Sequence, residues 1–165
     1  MYDLKFPDAR LTSWALLRQT WSLMEKLAET RLAKVKLTPE KVAVLWACMD
    51  SEGPLIPAEI ARMVSRESQS VTGLLNRMER EGLVKRIPKR KGRPFTEIKL
   101  TQKGEDACKV GVDVLKSVIS EVMSSIGDKE LEQLQNPLKT IRQKVIDDLH
   151  LELTAFPRTS SKVTT

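Results

Sequence analysis

One histidine and two cysteines are all that this chain of 165 residues offers for imidazole or thiol chemistry. The histidine, His150, lies near no serine or cysteine nucleophile motif, and the sequence has no phosphate-cradling glycine loop and no metal-ligand spacing. An enzyme is therefore not expected, and nothing asks for a cofactor or a metal. Cys48 and Cys108 both fall in helical patterns, so two inert core thiols in a reducing compartment are the expectation. Long apolar runs are missing too. The longest, residues 42–49, is far short of the roughly 18 residues that a membrane span needs, and reads as a buried helix segment. The opening Met1-Tyr2-Asp3-Leu4-Lys5 has no basic region leading into an apolar core, so a secretory signal is not expected and a cytoplasmic location is.

What remains is an ordinary amount of chain, sufficient for one compact unit with a core and two lobes. Its hydrophobic share of 41% and charged share of 30% do not suggest general disorder. The net charge of +6 is unevenly placed. Residues 66–103 carry 11 basic and 4 acidic side chains, whereas the flanking stretches balance at +1 and −2. An excess confined to one short segment is the footprint of a surface that binds a polyanion.

Periodicity divides the chain into elements. Residues 11–35 place Trp14, Leu17, Trp21, Met24, Ala28 and Leu32 three or four apart, one amphipathic helix. Thr38 as N-cap, Pro39 in the first turn and Glu40 near the positive end start a second helix, which runs to about Asp50. Ser51-Glu52-Gly53-Pro54 breaks it. A short helix, 57–64, follows, then a tight turn at 65–67. The next helix, 68–81, puts Val71, Leu74, Leu75 and Met78 on one face and closes at Gly82. Residues 83–87 and 95–100 then read as two antiparallel strands, the second alternating Thr96, Ile98 and Leu100 against Phe95, Glu97 and Lys99. Thr101 caps a long helix, 102–126. Gly127 stops it and Asp128 caps the last helix, which Pro137 should kink. Residues 154–165 read as a disordered tail.

A short helix, a turn, a second helix with a small polar outer face, and a basic hairpin make a winged helix-turn-helix. A helix entering the major groove needs hydrogen-bonding side chains small enough to let its backbone approach the base edges. Ser68, Gln69, Ser70, Thr72, Gly73, Asn76 and Arg77 meet that need. In the hairpin, Lys89, Arg90 and Lys91 would hold phosphates. Gly92 and Pro94 frame Arg93 for a minor groove.

These segments resemble the MarR-type regulators. The likeness rests on Leu37-Thr38-Pro39 with Leu45, on residues 57–61 and 71–79, on Gly82-Leu83-Val84 with Arg86, and on residues 100–104. Together they span about residues 35 to 105. The resemblance implies a dimerisation lobe built from the first and last two helices, and two recognition helices straddling a pseudo-palindromic site. In such a wing an aspartate usually precedes the tip arginine, whereas here Gly92 precedes Arg93. The resemblance also implies release of DNA by a small aromatic compound near the junction of the lobes. There Trp14, Arg18, Trp21, Trp46 and Met49 are available, although tryptophans at helical spacing read first as core. The reactive cysteine that oxidant sensors of the family carry in the first helix has no counterpart.

The expectation is thus a mainly α protein, a winged helix-turn-helix with a two-stranded β wing over residues 37–101 and a dimerisation lobe from 1–36 and 102–153. It would be a sequence-specific regulator of double-stranded DNA, a repressor, acting as a homodimer. Leu131, Leu138, Ile141, Val145 and Leu149 form a stripe that a small monomer would leave bare, and Leu4, Phe6 and Leu11 offer a second apolar arm. The alternative is a winged-helix module that binds protein, which would not need the basic segment.

Overall fold

A computed structural model describes residues 6–88 and 95–151. Six helices and two strands follow in the order α1 (Ala9–Ala33), α2 (Pro39–Asp50), α3 (Pro57–Met63), α4 (Ser68–Arg80), β1 (Val84–Ile87), β2 (Glu97–Leu100), α5 (Gln102–Met123) and α6 (Asp128–Asp148). The chain forms a mainly helical winged helix-turn-helix, as its periodicity predicts. It divides into two compact units, Met1–Val118 and Ile119–Thr165.

Local chemistry sets the element ends. Asp8 Oδ1 accepts from the backbone N–H groups of Arg10 at 2.6 Å and Leu11 at 3.3 Å, which starts α1 two residues before the periodic pattern does. Thr38 Oγ1 accepts from Lys41 N–H at 3.3 Å, with Pro39 in the first turn of α2. At the other ends, Lys36, Ser65, Gly82 and His150 turn the chain through positive φ angles of 60°, 51°, 73° and 52°. In each case the next N–H reaches back five residues, from Leu37 to Leu32 O, Arg66 to Ala61 O, Leu83 to Met78 O and Leu151 to Ile146 O. These are Schellman closures, and only one of the four has the glycine that such a position favours.

The wing pairs Val84 with Leu100 and Ile87 with Glu97 in an antiparallel ladder. Leu55 adds a bridge that the sequence pattern does not reveal: its N–H donates to Ile98 O at 3.2 Å, and Ile98 N–H returns to Leu55 O at 2.7 Å. The alternation read along the second strand holds for Ile98 and Leu100, which are buried, and for Phe95 and Lys99, which are exposed. Glu97 departs from it, buried to 6% exposure.

The core of the first unit gathers one face of every element. Leu32 from α1 shares one buried cluster with Val42 and Leu45 of α2, Ile60 of α3, Val71, Leu75 and Met78 of α4, Val84 and Ile98 of the wing, and Cys108 of α5. Two glycines let α5 come close. Gly104 lies against the Leu83 carbonyl, and a β-carbon on Gly111 would stand 2.6 Å from Val42 Cγ2.

The apolar face expected of α1 is only partly covered. Ala28 and Leu32 are buried, whereas Trp14 and Trp21 are 61% and 63% exposed, so these two tryptophans are not core. Length accounts for much of this. A helix of 25 residues is about 38 Å long and the 12 residues of α2 that pack on it span about 18 Å.

In the second unit, α6 starts differently from its expectation. Gly127 is the N-cap, and the Glu130 carboxylate accepts its N–H at 2.9 Å, so Asp128 is already the first helical residue. The helix runs through Pro137 and none of its residues is buried.

Candidate nucleic-acid interface

The helix-turn-helix is assembled by short-range contacts. Pro57 opens α3, and the Glu59 carboxylate accepts the Ile56 N–H at 2.9 Å. Two residues beyond α3, the left-handed Ser65 redirects the chain into α4. Val71, Leu74, Leu75 and Met78 bury one side of α4, as their spacing requires. On the other side Ser68, Gln69, Ser70, Thr72, Asn76 and Arg77 are exposed, and Gly73 is half-buried among them. No side chain caps the start of α4, which leaves its first N–H groups and the positive end of the helix dipole open to an anion.

Two of the polar side chains on this face are already engaged. Thr72 Oγ1 donates to Ser68 O at 2.8 Å, which leaves its lone pairs as acceptors. The Asn76 amide is held from the wing: Arg86 Nη2 donates to Asn76 Oδ1 at 2.5 Å. The same guanidinium pairs through Nη1 with Glu79 Oε2 at 3.5 Å, and the Arg86 N–H donates to Glu79 Oε1 at 3.3 Å. Arg86 thereby ties β1 to two successive turns of α4. Sequence reasoning passed over this residue as a site member, although it lies within the basic segment.

An ion pair and a hydrogen bond hold the C-terminal end of α4. Lys41 Nζ meets the Glu81 carboxylate at 2.7 Å, and Lys103 Nζ donates to Glu81 O at 2.7 Å. Lys41 thus neutralises a carboxylate within the fold, and Lys103 is spent on a helix-terminal carbonyl. Arg77 and Arg80, the latter bonded through Nε to Asn76 O at 3.3 Å, remain exposed beside the polar face. Lys89, Arg90, Lys91 and Arg93, expected at the wing tip, lie outside the described residues, as does Leu4.

The residues expected to hold an aromatic effector lie on two helices in different surroundings. Arg18 stacks its guanidinium over the Trp14 ring, 5.6 Å from the centroid, and both are exposed with Trp21. Trp46 and Met49 pack instead against the core of the first unit. A shallow cleft between the end of α2, β2 and α5 is lined by Met49 with Cys48, Pro54, Ile98 and Lys109, and none of the other four residues reaches it. Burial pushes the Cys48 thiol up to about 12, with a smaller contribution from nearby Cys108, and pushes Cys108 up to about 11. Both thiols are therefore protonated and weakly nucleophilic near neutral pH. Among the described residues no group of three or more His, Cys, Asp or Glu could hold a metal ion, and no helix is long and apolar enough to cross a membrane.

The fold has solved counterparts. AbsC, a MarR family transcriptional regulator from Streptomyces coelicolor, is similar with a TM-score of 0.75 at 19% identity over 86% of this chain and 97% of that one. The DNA complex of MepR from Staphylococcus aureus gives 0.72 at 21% identity, covering 79% and 96%. Ligand-free MarR from Escherichia coli gives 0.65 at 20% identity, covering 84% and 98%. Residues 36–93 match the family model for the MarR family, the stretch that holds the helix-turn-helix and most of the basic segment. The chain thus carries a stretch that matches the MarR family model, on a fold similar along most of its length to those of solved MarR family regulators.

Proposed function

We propose that this chain is a DNA-binding transcriptional regulator of the MarR type, which binds a pseudo-palindromic operator in double-stranded DNA as a homodimer and represses from it. The observation that carries the reading is the division of α4 into a buried apolar face and an outer face of small polar side chains, Gln69, Ser70, Thr72, Gly73 and Asn76. Such a face suits base edges in a major groove, while Ser68 and Arg77 beside it, and Lys89, Arg90 and Lys91 on the wing, suit phosphates. Arg93 is assigned to a minor groove.

Dimerisation would use the N- and C-terminal helices. Each unit supports this by itself: α1 leaves Leu11, Trp14, Leu17 and Trp21 exposed, and α6 leaves Leu134, Leu138, Ile141, Val145 and Leu149 exposed. The stacked pair Trp14 and Arg18, with Trp21, would then be the part of the effector set that an aromatic ligand could meet, since a flat ring packs well on an aromatic face and a guanidinium. Trp46 and Met49 belong to the same proposed set.

The experiment is selection of genomic fragments by the purified chain, then titration of the selected operator and of random DNA at several salt concentrations. Sequence-selective binding, with an affinity that falls steeply as salt rises, is the expected result. Weak, salt-insensitive binding to every DNA would overturn it and favour the protein-binding module instead.

A further inference from the structure

The amide of Asn76 is not a free reader of bases, because one of the two lone pairs of its oxygen is already held by a charged donor. A guanidinium has only donors, so the partner that faces it must be Oδ1, and the amide orientation is fixed by chemistry. Arg86 is itself held from elsewhere, through the Glu79 carboxylate and its own backbone N–H to the same carboxylate. The amide is the passive member of this cluster. A charged donor on the carbonyl oxygen also draws electron density from the amide, which weakens Oδ1 as an acceptor and strengthens the Nδ2 hydrogens as donors.

An asparagine reads adenine by accepting from N6 and donating to N7 together. With Oδ1 engaged, Asn76 presents the two hydrogens of Nδ2. Guanine offers N7 and O6, two adjacent acceptors, whereas adenine puts an amino group where the second acceptor would be. Resting on the assignment of α4 as the base-reading helix, we propose that Arg86 is a specificity-determining positioning residue: it converts Asn76 into a donor that favours guanine over adenine at the base pair it contacts.

The test uses the full chain and the selected operator, with each base pair varied in turn. Asn76→Ala should relax one position, which identifies the contacted pair. There the wild type should favour guanine over adenine by about tenfold. Arg86→Met keeps the aliphatic bulk and removes the donors, and should lower that ratio at least threefold with a gain on adenine. Loss of a merely structural contact would weaken all operators alike. Asn76→Asp keeps the Arg86 contact but replaces the donor by an acceptor, and should abolish the guanine preference and shift it toward cytosine. Wild-type preference for adenine at the Asn76-dependent pair, or an unchanged ratio in folded Arg86→Met, would overturn the proposal. If Arg86→Met does not fold, retention of the guanine preference by Asn76→Asp overturns it equally. A different failure is distinguishable: if Asn76→Ala changes no position, the base-reading assignment of α4 itself falls, and this inference with it.

Discussion

Gly104 sits so close to the Leu83 carbonyl that a β-carbon on it would overlap the backbone oxygen and lie 3.0 Å from the carbonyl carbon. That contact seats the start of α5 on the turn that leaves α4, where Thr101 Oγ1 also donates to Gly82 O at 2.6 Å. Backbone cannot rotate away as a side chain can. Gly104→Ala should therefore cost about 1 to 3 kcal/mol, the usual range for overpacking, and lower the thermal midpoint by several degrees. Gly111→Ala meets Val42 and Leu37 side chains instead, and should cost less. Thermal unfolding of the two variants side by side checks the order. Equal losses would mean that the Leu83 turn yields as readily as a valine rotamer.

Gly73 makes the opposite demand. It lies inside α4 with nothing within 4 Å of where a β-carbon would stand. Gly73→Ala should stabilise the fold by about 0.5 to 1 kcal/mol, since glycine is costly in a helix interior. If the polar face of α4 approaches DNA closely, the same methyl should weaken operator binding. A variant that melts higher and binds less separates the two roles. Undiminished affinity would place the DNA farther from this face.

How much of this was legible beforehand varied with the range of the interactions. Thr38-Pro39 and the Val71, Leu74, Leu75, Met78 spacing are local signals, and the helices they predict are present within a residue or two. The Arg86 to Asn76 bond depends on how β1 turns back across α4, and no period in the sequence encodes it. Leu55, between Pro54 and Pro57, carries no strand pattern of its own and pairs only because Ile98 is brought beside it. Trp14 and Trp21 were misplaced for another reason: spacing locates an apolar face but not the element that covers it.

The helix ends give a further check. Lys36 holds a φ of 60° at the close of α1, a conformation that costs an L-residue roughly 1 kcal/mol relative to glycine. Lys36→Gly should raise stability by up to about 1 kcal/mol. Gly82→Ala, at 73°, should lower it by a similar amount. Chemical denaturation with unchanged slopes would measure both. A destabilised Lys36→Gly would show that the loss of unfolded-state entropy outweighs the relief of strain.

The thiols predict a pH response of definite sign. Burial raises Cys48 to about 12 and Cys108 to about 11 from an ordinary 9.0. Below about pH 8 both states of the chain keep these protons, and stability should not depend on them. Above about pH 9 the unfolded chain releases protons that the folded one retains, so stability should fall as pH rises toward 11. Urea titrations at pH 8 and pH 10 on wild type and a Cys48→Ala, Cys108→Ala double variant would isolate the term, because the double variant should lose less. At pH 8, alkylation of the native protein should be far slower than that of the unfolded chain. Rapid native alkylation would show that the helices open often enough to expose the thiols.

The last prediction concerns α6. Its apolar residues recur in steps of three and four, yet Leu134, Leu138, Ile141, Val145 and Leu149 are each more than a third exposed and no residue of the helix is buried. A helix of 21 residues with a proline inside has little stability of its own, because packing supplies most of what holds a helix in a protein. Association with a second chain would bury this stripe, and each large side chain removed from water contributes about 1.5 to 3 kcal/mol. Folding of α6 and dimerisation should then be one event. Ile141→Lys with Val145→Lys should yield a monomer near 19 kDa by light scattering, against a sequence mass of 18.7 kDa for one chain, and the wild-type midpoint should rise with protein concentration while the variant's does not. The variant's helical circular dichroism should fall by more than two substitutions can account for, because a helix without a partner frays. Operator affinity should fall with it, since a single winged helix reaches only one half-site. A dimeric variant with wild-type affinity would show that α6 is not the interface, and would leave the exposed face of α1, with Trp14 and Trp21, as the surface to test.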